Sequence, residues 1–94
     1  MTADKQLQEA HTLGSLNGYD YEAENPYLPT SDSWVAWMAG RGYRGVTGCK
    51  AARGEYMHVR INSTWHRKSW TEIQRAAANP PQTIVTYMHG HTVA

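Results

Sequence analysis

Phenylalanine is absent from this 94-residue chain, and cysteine occurs once, as Cys49. A single cysteine excludes an intrachain disulfide framework and points to a reducing compartment. No apolar run is long enough to span a bilayer. The first residues, Met1 to Gln6, lack a basic stretch followed by an apolar one, so they do not read as a secretion signal and a cytoplasmic protein is expected. Without such a signal, Asn62-Ser63-Thr64 is a glycosylation match with no meaning. A Walker-type loop, a dinucleotide fingerprint and a nucleophile elbow are all missing, and with them the usual signatures of cofactor or nucleotide chemistry. No cofactor and no enzymatic activity are expected.

What remains is short and rich in large polar-edged rings. Four Trp and six Tyr carry the whole aromatic load, and such rings suit interfaces and half-buried positions. The length predicts one domain over residues 1–94. Charge is unevenly divided. Residues 1–47 hold three bases against six acids, a balance of −3, whereas residues 48–94 hold six bases against two acids, a balance of +4. An acidic front half joined to a basic back half is a dipolar arrangement.

Local signals give the elements. Asp4 caps a helix from Lys5, with Leu7, Ala10, Leu13 and Asn17 along one face. Gly14 and Gly18 weaken that helix, which predicts a close backbone approach. Residues 18–24 read as an acidic loop. Pro26 and Pro29 keep residues 25–30 extended or turned. Ser31 or Asp32 caps a second helix from Ser33 to about Arg41, with Trp34, Trp37 and Met38 as its apolar stripe. The glycines from Gly40 to Gly45 read as a hinge between the halves. Arg44 to Cys49 is a candidate strand and 52–55 a turn. Tyr56 to Ile61 alternates as a strand, with Met57, Val59 and Ile61 on one face. Ser69 and Glu72 form a capping box for a helix through Ala78, whose apolar face is Trp70, Ile73 and Ala77. Asn79-Pro80-Pro81 stops it, and Thr83 to Met88 reads as a last strand. The expected fold is α+β: two N-terminal helices (1–47), then a basic strand-helix-strand part (48–94). Its small sheet has two or three strands, with one further helix. A sheet this small is marginal alone, which also raises a homodimer that extends it.

Ala10-His11, Gly14, Gly18, Asn25-Pro26-Tyr27, Ser31, Trp37 and Gly40 together resemble the ribosome modulation factor family, including its phage-encoded relatives. The resemblance covers residues 9–45, and the gap from Tyr27 to Trp37 fits the phage-type members. It implies two short helices joined by a Pro-Tyr linker, in a protein that acts on ribosomal RNA. Carried onto this chain, Pro26 and Tyr27 shape the linker, Gly14 and Gly18 permit close helix packing, and Trp37 and Gly40 belong to the packing motif. Two departures stand out. Position 41 is Arg where the family has an aromatic residue, and this half is acidic where the ribosome-binding member is basic.

Four groups of residues are candidate sites. Arg60, Trp65, His66, Arg67 and Lys68, beside Trp70, interleave bases with aromatics as nucleic-acid contacts do; otherwise they form the solvated lead-in to a helix. Tyr19, Asp20, Tyr21, Glu22, Glu24 and Trp34 suit a protein interface on a basic partner. Cys49, His58, His89 and His91 lack the paired spacing of a metal site, and no metal is assigned. Cys49 with a His and an acid is formally a thiol site. The leading expectation is a small regulatory protein acting on the ribosome or another ribonucleoprotein. The alternative is a phage-encoded inhibitor of a host protein or nucleoprotein complex, such as an anti-CRISPR.

Overall fold

The computed structural model describes residues 2–17 and 22–80, with side chains from Lys5 onward. The elements run α1 (Thr2–Leu16), α2 (Asp32–Gly42), β1 (Val46–Ala51), β2 (Tyr56–Ile61), β3 (Thr64–Ser69) and α3 (Trp70–Ala78). The fold is α+β: two helices, a three-stranded antiparallel sheet of order β1-β2-β3, and a third helix. The last predicted strand, Thr83 to Met88, lies outside the described residues. Among the described residues, no helix is long and apolar enough to cross a membrane.

The two front helices meet backbone to backbone. A Cβ built at Gly14 would lie 2.0 Å from the carbonyl oxygen of Trp37, and one at Gly40 would lie 2.0 Å from that of His11. The expected close approach is therefore present at Gly14; Gly18 lies outside the described residues. Gly42 makes the same kind of contact with α3, 2.7 Å from the Ala77 nitrogen. Gly40 and Gly42 are thus packing positions inside α2. The hinge reading of this stretch is corrected, because bare backbone is what lets three helices touch. α1 also begins at Thr2, so Asp4 sits inside the first turn instead of capping it.

Between the helices, Asn25 locks the Asn-Pro-Tyr turn. Its Oδ1 accepts from the Tyr27 amide at 3.0 Å, and its Nδ2 donates to the Trp34 carbonyl at 3.0 Å. Ser31 then caps α2, accepting from the Trp34 amide. Arg41, inside α2, is buried against α1 and α3. It donates to the carbonyls of Asn17 and Ala77 at 3.1 and 3.4 Å and stacks 5.6 Å from the Trp37 ring centroid. A cation at helix C-terminal carbonyls is well placed electrostatically. That role accounts for an arginine here, where the resembling family has an aromatic.

The core draws on both halves of the chain. Leu7 and Ala10, Val35, Ala36 and Ala39, Val46 and Cys49, Met57 and Val59, and Ile73 pack together. Strand β1 keeps Val46 and Cys49 both inward, although three positions apart they break simple alternation. A bulge at Thr47 absorbs the extra residue. Strand β3 was not foreseen: Trp65 to Lys68 is strand and not the lead-in to a helix. The β2–β3 turn is two residues, Asn62 and Ser63, both with positive φ (50° and 71°), as a twisted two-residue hairpin requires. The Ser69–Glu72 capping box forms as expected, and the Trp70 amide donates to Glu55 at 2.9 Å, seating α3 against the first hairpin.

Two expected outcomes test this packing. Gly14→Ala or Gly40→Ala sets the new carbon against backbone that cannot rotate away, so its cost lies toward the upper end of about 1–3 kcal/mol and exceeds the roughly 1 kcal/mol Ala adds to a helix. Thermal melts of either variant should show Tm lowered by roughly 5–10 °C; an unchanged Tm would refute the close contact. The second concerns His11, which is 4 % exposed. Gln8 Nε2 donates to the Cys49 carbonyl, so Gln8 Oε1 accepts from His11 Nε2–H at 2.9 Å. Nδ1 has no partner among the described residues. Burial lowers the His11 pKa from 6.5, outweighing a smaller raising effect of its own backbone. The unfolded chain therefore takes up a proton near pH 6.5 that the folded chain resists. The folded state keeps its full stability above that pH and loses some as pH falls below it. Urea midpoints measured from about pH 7 down to about pH 5 should fall in the wild type and fall less in His11→Gln; parallel curves would place the proton elsewhere.

Candidate nucleic-acid interface

The sheet has two unlike faces. Residues opposite one another in an antiparallel ladder share a face, and neighbours along a strand alternate. The rows Cys49–Val59–His66 and Ala51–Met57–Lys68 point toward the helices. The rows Gly48–Arg60–Trp65 and Lys50–His58–Arg67, with Tyr56 and Ser69, point away. None of the three strands carries an Asp or Glu. The outer face therefore presents Lys50, Arg60 and Arg67 with His58, and two exposed rings, Trp65 (43 %) and Tyr56 (41 %).

Each ring is paired with a cation. Lys50 Nζ lies 4.5 Å from the Trp65 centroid, and the Arg67 guanidinium lies 4.3 Å from that of Tyr56. Trp65 reaches from β3 across β2 to β1, where a Cβ at Gly48 would sit 3.4 Å from its Cη2. A methyl group at 48 would only touch the ring edge, at ordinary contact distance. An exposed cation–π contact is worth about 0.5–1 kcal/mol, whereas a base stacked on an aromatic ring is worth about 1–3 kcal/mol. A base stacked on either ring would outcompete the cation there, and the long basic side chain would then be free to meet a phosphate.

The predicted nucleic-acid set divides across the sheet. Arg60, Trp65 and Arg67 share the outer face. His66 and Lys68 sit on the other one. Lys68 pairs with Glu72 at 3.6 Å and lies 5.5 Å from the Tyr43 ring centroid, which makes it a structural cation between β3 and α3. Lys50 and Tyr56 were missed. In the sequence, Tyr56 is only the first residue of an alternating strand, and Lys50 belongs to no motif. Only the hairpin register brings them to Arg67 and Trp65.

The remaining candidates separate. Tyr19, Asp20 and Tyr21 lie outside the described residues. Glu22 and Glu24 are exposed, while Trp34 is half-buried and packs against the core. Cys49 and His58 stand on opposite faces of the sheet, and His89 and His91 lie outside the described residues. Cys49 is fully buried, and burial pushes its thiol up to about 12. A thiol held protonated and closed off from solvent is not a nucleophile. In comparisons with known protein families, curated proteins and solved structures, nothing matches this chain.

Proposed function

We propose that this chain is a small, non-enzymatic regulatory protein of the cytoplasm that binds the RNA of the ribosome or another ribonucleoprotein. The contact surface is the outer face of the sheet. The observation that carries this reading is the pairing of Lys50 with Trp65 and of Arg67 with Tyr56 on a face whose strands hold no acid. Basic groups interleaved with rings supply phosphate contact and base stacking together. The resemblance of residues 9–45 to the ribosome modulation factor family supports a ribonucleoprotein target. The acidic balance of that same half argues for placing the RNA contact in the back half, since Lys and Arg contacts to phosphate carry most of the nonspecific affinity.

A tagged copy should co-sediment with ribosomes or another ribonucleoprotein at low salt and be released by nuclease. Arg60→Glu with Arg67→Glu should abolish co-sedimentation, whereas Glu22→Gln with Glu24→Gln should leave it intact. Capture of one protein complex that survives nuclease and tolerates the Arg60/Arg67 reversal would overturn the reading in favour of a protein-directed inhibitor.

A further inference from the structure

We infer that the outer face of the sheet takes up unpaired RNA, with one base on Trp65 and another on Tyr56, and discriminates against duplex. This rests on the reading of that face as an RNA contact and adds the form of RNA recognised. The two rings stand on rows four residues apart along β2, because Tyr56 pairs with Ser69 and Arg60 with Trp65. At about 3.4 Å per residue, the attachment points are roughly 14 Å apart. One base cannot bridge that distance, so each ring takes its own. Both rings stand on the sheet surface itself, among Lys50, Arg60 and Arg67. A base reaches them only if its own face is free.

In a duplex the base faces are occupied by neighbouring bases, so a helix would meet the three cations through phosphates alone. An unpaired strand offers both phosphates and free base faces. Lys50 and Arg67 then exchange a ring for a phosphate on a strand that has placed its base on that ring. The cations keep each aromatic ordered before RNA arrives and remain paired afterwards.

The test is a binding titration by fluorescence anisotropy. The probes are a labelled oligouridylate of about ten nucleotides, within the site sizes of single-strand binders, and a labelled RNA duplex of matching length. The wild type should bind the single strand at least about tenfold more tightly than the duplex at the same salt. Trp65→Ala should weaken the single strand by about tenfold or more, leave the duplex unchanged, and keep its circular dichroism, since this side chain lies on the outer face and outside the core cluster. Trp65→Phe retains a ring and should restore most of the affinity. Lys50→Ala should flatten the salt dependence for the single strand by about 0.7 in the log–log slope. Equal binding of both probes, with Trp65→Ala indistinguishable from wild type, would overturn this inference and leave the RNA reading standing. Binding of neither probe at low salt would overturn both.

Discussion

The backbone of α1 touches the backbone of α2 at Gly14 and Gly40, and the rest of the architecture follows from that contact. With no side chain between them, the helices are close enough for Arg41 to reach carbonyls at the ends of both α1 and α3. Gln8, carried on α1, reaches the Cys49 carbonyl on β1. The glycines therefore align a helical layer over one face of the sheet and set one core from residues in both halves of the chain. A short chain has little apolar area to bury. Bare backbone contact lets three helices pack tightly through small residues such as Ala10, Ala36, Ala39 and Ala77, beside the buried ring of Trp37.

Among the described residues the helices cover one face of the sheet, and the composition of the other decides what it can bind. Val59 and Met57 spend the inward positions of β2 on the core, leaving Tyr56, His58 and Arg60 outward. The strands carry bases and no acids, so the outward side chains have no carboxylate on the sheet to neutralise them. The cations turn instead to the two aromatic rings. On the proposed reading, a base would occupy these rings more strongly than the cations do, which would leave the cations for a polyanion.

Much of this was legible in the sequence where pattern and chemistry agreed. Tyr56 to Ile61 alternates and is strand β2. Ser69 and Glu72 announce α3 by reciprocal hydrogen bonds, and Ser31 announces α2. Strand β3 was illegible because Thr64 to Ser69 buries almost nothing, so it has no apolar face for alternation to reveal. Its turn hid as well. Asn62 is at ease with positive φ, but Ser63 is an unusual occupant. Once β3 went unseen, the register that unites Lys50, Tyr56, Trp65 and Arg67 went unseen with it, and His66 and Lys68 were grouped with side chains from which the pleat separates them. The bulge at Thr47 and the two carbonyls held by Arg41 are tertiary facts with no local signature. Asn25 was in view as part of Asn-Pro-Tyr, yet its double hydrogen bond needed the neighbouring helix to be placed.

The central claim is that RNA meets the outer face of the sheet and not the acidic front half. A titration of isotope-labelled protein with single-stranded RNA, followed by amide and indole chemical shifts in two-dimensional NMR, tests it most directly. The account predicts perturbations centred on Lys50, Tyr56, Arg60 and Arg67 and on the indole N–H of Trp65, with Glu22, Glu24 and the amides of α1 unmoved. Perturbations centred on α1 and residues 22–31, with the Trp65 indole unmoved, would contradict it.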